Sequence, residues 1–336
     1  MLRVALLDDY ANVALESADW SVLKGRAEIS VFNRHLAASE AAAVLQPFDV
    51  LCTIRERMSM PRSLFERLPN LKLVTIIGAS LPNLDMEAAT DHGVVVSGWN
   101  LSNPLYRQIL TATPELTWGL MIATVRHMSL EDRRMRAGGW QSTIGINLAG
   151  RTLGLLGLGT IGKRMAHYAR AFDMSVIAWS QNLTPEATEA SGAKWVSKDD
   201  LFRLSDIVSI HVRLSDRTRG LVTARELGLM RPTAYLINTS RGPIVVESDL
   251  RKALSEGRIA GAGLDVFDEE PPPPDHPFRA MDNVTLTPHL GYVTRETLRA
   301  FYTDTLEAVA AFVEGKPIRV ANPAALDHPR QQRASG

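Results

Sequence analysis

One cysteine, Cys52, stands in a chain of 336 residues, which excludes an intramolecular disulfide and any cysteine-clustered metal site. It lies in the apolar run 50–54, where a small buried hydrophobe is the simpler reading than a nucleophile. An excess of either charge is also missing. The 37 Lys and Arg balance 37 Asp and Glu, so electrostatics give no reason to expect nucleic acid or a membrane surface as partner. No apolar stretch reaches membrane-spanning length, and the chain opens on a strand-like run from Arg3 to Leu7 instead of a secretory leader. The expectation from these absences is a cytoplasmic enzyme without a metal, long enough for two domains with separate cores.

What the chain does have is a strand that breaks into glycines and re-emerges as a helix. The run 153–156 leads into Gly157, Gly159, Thr160, Ile161 and Gly162, and then Ile161, Met165, Tyr168, Ala169 and Phe172 recur at helical spacing. Gly157 permits the tight turn, Gly159 lets backbone amides approach a pyrophosphate, and Gly162 lets the helix lie close on the sheet. The amides and dipole at the helix start then hold the phosphates. A glycine triplet alone is weak; the strand before it and the helix after it make a dinucleotide the reading.

Short apolar runs alternate with helical patterns on both sides of this turn. Before it they fall at 4–7, 27–32, 50–54, 71–77 and 94–96; from it onward at 153–156, 175–179, 194–196, 207–212, 234–238, 259–266 and 284–287. Such alternation predicts an α/β protein with two doubly wound parallel sheets, a flavodoxin-like domain and a Rossmann dinucleotide-binding domain, with a cleft between. The expected boundaries are 1–101 with 295–336 for the first and 102–294 for the second. A helical pattern over 106–136 should kink or restart at Pro114. Ser248 and Gly257 are expected to bracket another helix, and the pattern over 295–313 to return to the first domain.

Polar residues that follow apolar runs in the second unit carry the chemistry. Hydride exchange between a nicotinamide and a carbonyl needs a proton donor, a cation for a carboxylate, and a group that orients the donor. His289 can donate, because imidazole titrates near working pH. Arg241 offers a fork matched to a carboxylate, and Glu270 can accept the second ring N–H of His289, fixing its tautomer and raising its pKa. Asp265 is placed to orient the nicotinamide carboxamide. Taken singly, each has a plain reading as a loop, turn or surface residue; their joint position at strand ends behind the glycine turn reverses that.

These motifs are similar to those of the D-isomer-specific 2-hydroxyacid dehydrogenase family over nearly the whole length. The carriers are Gly157 to Gly162, Asn238 to Gly242, Gly263 to Phe267 with Glu270 and Pro271, and Asn283 to Gly291. The resemblance implies that Arg241 binds the substrate carboxylate and carbonyl, that His289 is the acid/base with Glu270 as partner, and that the protein is a homodimer. It also implies a substrate domain formed from both chain ends, a nucleotide domain in the middle, and a small 2-oxo or 2-hydroxy acid as substrate. Formate dehydrogenases of the superfamily carry an amide where Glu270 stands.

Departures from the family pattern bear on specificity. Ser180, Gln181 and Asn182 follow the run 175–179, where an acid would usually meet the ribose hydroxyls of NAD. Ser180 removes the repulsion against a 2′-phosphate, yet no arginine or lysine follows; either it hydrogen-bonds a ribose or the cofactor is NADP, to which this reading leans over NAD. Gly78, Ala79 and Ser80 occupy the family's carboxylate-cradling loop with an altered sequence, and Arg55 is a further candidate substrate contact. Trp99 and Tyr106 are read as packing, His211 as structural, and Asp8 and Asp9 as paired with basic neighbours. Two alternatives stay open: a nucleotide-sensing binding protein of the same fold, and a phosphoglycerate-type dehydrogenase.

Overall fold

The computed structural model describes residues 1–77, 83–99 and 106–332. The chain divides into two compact units: Met1–Tyr106 with Arg295–Gly336, and Arg107–Thr294. Each is a parallel sheet covered by helices.

In unit 1 the strands are β1 (Leu2–Leu6), β2 (Ala27–Val31), β3 (Val50–Ile54), β4 (Leu73–Ile77) and β5 (Val95–Ser97), in the order β2-β1-β3-β4-β5. All pairings are parallel. Strands β3 and β4 are buried at every position and read as continuous β-branched and leucine runs, because helices cover both faces of a parallel sheet. Cys52 lies inside β3, and burial pushes its thiol up to about 12, so it is a core residue and no nucleophile. The helix Arg295–Val313 packs on β4 and on the helix Ala14–Ser17. Trp99 stands edge-on to Phe301 of that helix at 5.5 Å, which is packing, as read for Trp99.

Unit 2 holds β6 (Thr152–Leu156), β7 (Ser175–Trp179), β8 (Lys194–Trp195), β9 (Ile207–Ile210), β10 (Tyr235–Asn238), β11 (Gly261–Leu264) and β12 (Val284–Leu286). Their order is β12-β11-β10-β9-β6-β7-β8, again all parallel. The order reverses between β6 and β9, and ligands of such sheets bind beyond the carboxyl ends of the strands at that point. Leu156, Val208, Ile210, Leu236, Ala262 and Leu264 form the core of one face. Leu153, Leu155, Met165, Ala169 and Ile237 form that of the other.

Two local expectations need correction. The helix Tyr106–Val125 continues through Pro114, so no new helix starts there. A proline inside a helix costs about 3 kcal/mol; here Thr117 buries its hydroxyl on the Thr113 carbonyl, and Leu120, Met121 and Val125 bury the following turns. Tertiary packing outweighs the local cost. The break comes at His127, left-handed at φ +52° with its ring against Tyr235, before the helix Met128–Arg136. Likewise Ser248 is not the cap of its helix. Glu247–Ser255 starts after Val246 with no side-chain cap, although Gly257 does follow its end at φ +64°.

Candidate active site

The glycine turn has the close backbone packing expected of a phosphate cradle. Gly157 adopts φ +106°, and a Cβ there would stand 2.8 Å from the His211 backbone. A Cβ on Gly162 would fall 2.2 Å from the Gly157 carbonyl, so only glycine lets the helix Thr160–Ala171 start against the strand end. Gly159 differs: a Cβ there would meet nothing within 4 Å. Gly159 is also the cap residue of that helix and provides no side-chain bond, so no capping side chain takes up the first helical amides. Thr160 is exposed there, while Ile161 turns onto the core. A helix start with no side-chain cap, and with open space where a Cβ of Gly159 would stand, fits a pyrophosphate. His211, behind Gly157, is pushed down to about 3 by burial and stays neutral, with its Nε2 2.9 Å from Ser209 Oγ.

Ser180 directly follows β7, and its carbonyl accepts the Leu183 amide, turning the chain away from the strand. Trp195 Nε1 fixes the far side of this turn on the Leu183 carbonyl at 3.1 Å.

Arg241 sits on a loop stapled by Asn238 at the end of β10. The Asn238 side chain accepts from the Ser240 amide and donates to the Arg241 carbonyl, both at 3.0 Å. Arg241 Nη1 donates to the Ser240 carbonyl at 2.6 Å. At Gly242 a Cβ would lie 2.1 Å from the Phe267 carbonyl carbon, so the Arg241 turn rests directly on the peptide that leads to Glu270.

The structure brings His289 and Glu270 together. His289 Nδ1 is 2.5 Å from Glu270 Oε2, and Glu270 Oε1 accepts the Phe267 amide at 3.0 Å. Burial pushes the Glu270 carboxyl up, but the His289 hydrogen bond and charge, the Phe267 amide and the Arg241 charge outweigh it, and its pKa lies below the ordinary value. The carboxylate therefore accepts the proton on Nδ1. That leaves Nε2, which has no partner among the described residues, as the nitrogen able to act on a ligand.

His289 itself is left-handed at φ +53°, a conformation that costs about 1–3 kcal/mol and persists only where the surroundings fix it. Asp265, fully buried after β11, does the fixing. Its carboxylate accepts from Thr287 Oγ1 at 2.6 Å and from the amides of Leu290 at 2.7 Å and Gly291 at 2.9 Å, so it grips the loop on both sides of His289. Burial nonetheless dominates and raises the Asp265 carboxyl, with those donors and the His289 charge pulling the other way.

In unit 1, Arg55 follows β3 at φ +51°, with Nε 3.8 Å from the Glu56 carboxylate. Gly78, Ala79 and Ser80 lie outside the described residues. Sequence reasoning missed the grip of Asp265 on the His289 loop and a second histidine–glutamate pair, His276 with Glu247. Neither leaves a signal in spacing, since both join loops 22 or more residues apart.

A parallel sheet with an uncapped glycine turn at its reversal point, and a histidine held by a carboxylate after another of its strands, is the architecture of a dinucleotide-dependent oxidoreductase. Residues 118–291 match the sequence model of the D-isomer specific 2-hydroxyacid dehydrogenase, NAD binding domain. The chain is 41% identical over 263 residues to the glyoxylate reductase of Aeropyrum pernix, covering 75% of this chain and 76% of that one. It is 34% identical over 319 residues to the D-3-phosphoglycerate dehydrogenase of Methanocaldococcus jannaschii, covering 94% of this chain and 58% of that one. A Ralstonia solanacearum oxidoreductase assigned as a D-3-phosphoglycerate dehydrogenase superposes with a TM-score of 0.89 at 36% identity, covering 98% of this chain and 99% of that one. The chain belongs to the D-isomer-specific 2-hydroxyacid dehydrogenase family. It is accordingly an NAD(P)-linked oxidoreductase acting on a CH–OH group.

Proposed function

We propose that the protein reduces a small 2-oxo acid to the (R)-2-hydroxy acid, with His289 as the acid/base and Arg241 as the carboxylate anchor. The His289–Glu270 bond carries this reading, because it commits Nδ1 and presents Nε2. A dihydronicotinamide held by the glycine turn would supply the hydride for the carbonyl carbon. His289 gives its Nε2 proton to the carbonyl oxygen, and the negative Glu270 stabilises the imidazolium before that transfer. Arg241 pairs its guanidinium with the substrate carboxylate and so fixes which carbonyl face is presented. Arg55 is a second candidate for the substrate.

Gly157, Gly159, Thr160, Ile161 and Gly162 are the proposed pyrophosphate site and Ser180 the ribose contact. With no carboxylate at position 180 to repel a 2′-phosphate, NADP(H) is favoured over NAD(H). Asp265, assigned from the sequence to the nicotinamide end, would stand beside it as the brace of the His289 loop. Exposed Trp140, Ile144, Met128 and Met135 in unit 2 support a homodimer. Among the described residues no helix is long and apolar enough to cross a membrane, and a cytoplasmic site of action is part of the proposal.

The test is oxidation of NADPH and NADH, followed at the nicotinamide absorbance with glyoxylate, hydroxypyruvate, pyruvate, 2-oxoisovalerate, phenylpyruvate and phosphohydroxypyruvate. Turnover with one acid that vanishes in His289→Ala is the expected result. Tight cofactor binding without turnover on any of them would return the reading to a nucleotide sensor.

A further inference from the structure

Unit 2 contains a second histidine–glutamate pair, and it lies under the loop that carries Glu270. His276 is buried, and its Nε2 stands 3.0 Å from Oε1 of Glu247, the first residue of the helix Glu247–Ser255. Its Nδ1 faces the Phe278 amide at 3.4 Å. An N–H can only donate there, so Nδ1 is the acceptor and the proton sits on Nε2, directed at the Glu247 carboxylate. Both ring nitrogens are therefore used within the chain, unlike those of His289.

The ring of His276 lies edge-on to Phe267 at 5.9 Å and tilted against Phe278 at 5.2 Å. Phe267 is the residue whose amide holds Glu270 Oε1 and whose peptide the Arg241–Gly242 turn rests on. One unbroken set of contacts thus runs from Glu247 through His276 and Phe267 to Glu270 and His289. Around it, the His276 amide donates to the Pro273 carbonyl, and Arg279 closes on the carbonyls of Pro272 and Pro273. Asp268 is the other carboxyl near the pair; burial and the Glu247 charge raise it, while Arg219 and His276 pull it down.

We propose that His276, held by Glu247, is a positioning residue for the reaction: it fixes the Phe267 peptide, and through it the orientation of Glu270 against His289. The proposal rests on the acid/base reading of the His289–Glu270 pair. A loop of this length, with four consecutive prolines after Glu270, has few backbone donors of its own to hold a carboxylate in register. A buried side chain pinned at both nitrogens supplies the missing constraint.

His276→Phe keeps the ring packing and removes both hydrogen bonds. The expected result is a kcat lower by about tenfold, less than the hundredfold that a full 1 Å misplacement costs, with the KM for the nicotinamide cofactor unchanged. The high-pH limb of reduction should move to lower pH, because a loosened Glu270 supports the imidazolium less. Glu247→Ala should behave alike, and Glu247→Gln, whose amide oxygen still accepts from Nε2, should restore most of the loss. Wild-type kcat and pH limb in both His276→Phe and Glu247→Ala would overturn the proposal, with or without a fall in Tm. His289→Ala is run beside them. If it retains turnover, the acid/base reading fails and this inference with it; if it is inactive while the other two are unaffected, only this inference fails.

Discussion

Asp265 and Asp8 each follow a strand of a parallel sheet, both are buried, and burial raises the carboxyl of both, yet they are employed differently. Asp265 in unit 2 has three donors and fixes a histidine in an unfavourable conformation. Asp8 in unit 1 is itself left-handed at φ +58°, takes the Tyr10 hydroxyl at 3.1 Å and stands 3.5 Å from His35, while its Oδ2 has no partner among the described residues. Its carbonyl accepts from Arg57, whose guanidinium lies 4.7 Å over the Tyr10 ring. The same architecture thus produces a carboxylate that tightens the His289 loop in one unit and a locally costly one in the other. Strand topology fixes where such residues stand; the donors around them fix what they do.

The sharpest break of this contrast is His289→Ala. With the acid removed and the Asp265 scaffold intact, kcat should fall by about 10²–10⁴, while cofactor affinity, measured by fluorescence titration, holds. Arg241→Ala should come next, lowering kcat and raising the KM for the 2-oxo acid together, since a carboxylate anchor acts on both; a change in the cofactor KM alone would count against that role.

Glu270→Gln keeps an acceptor for Nδ1 and removes the charge. The folded Glu270 carboxyl lies below its ordinary value, so its charge contributes stability at pH above the unfolded pKa of about 4.3, and that contribution is lost as pH falls through the lower, folded value. The Tm gap between wild type and Glu270→Gln should therefore be widest near neutrality and close in acid. A gap independent of pH would show that the charge is not what the pair contributes.

Asp8→Asn has the smallest expected effect and the opposite sign. A raised carboxyl penalises the charged form, so stability is greatest below the unfolded pKa and is lost as pH rises through the folded value. An asparagine removes that penalty and tolerates positive φ better. Tm at pH 7 should rise by about 2–4 °C for each kcal/mol gained, and by less at pH 4. A fall at pH 7 would mean that the Asp8 charge is needed by its neighbours.

Much of this could be read directly. Among the described residues the inner strands lie on apolar runs visible in the chain, because a sheet covered on both faces demands uninterrupted hydrophobic residues, whereas the edge strands β2 and β8 carry the exposed Glu28 and Lys194. Gly157 and Gly162 were legible for the reason the structure gives: a Cβ collides at both. A restart at Pro114 was expected because the effect of the proline was weighed locally, whereas the buried side of Tyr106–Val125 carries the helix through it. Ser248 was misread because a good capping residue one position inside the helix looks the same in sequence as one at its start.

The sequence by itself determined the parallel sheets and the glycine turn, since each depends on neighbours within one turn or one strand, and it singled out His289 as the candidate acid/base only through its company with Arg241 and Glu270. Tertiary structure alone decided that Glu270 meets Nδ1, that Asp265 grips both sides of His289, and that Glu247 reaches His276. Those contacts join residues 19 to 29 positions apart across loops with no periodicity. Only the register of β10, β11 and β12 places their ends side by side, and a hydrogen bond is specified by that placement to within a few tenths of an ångström.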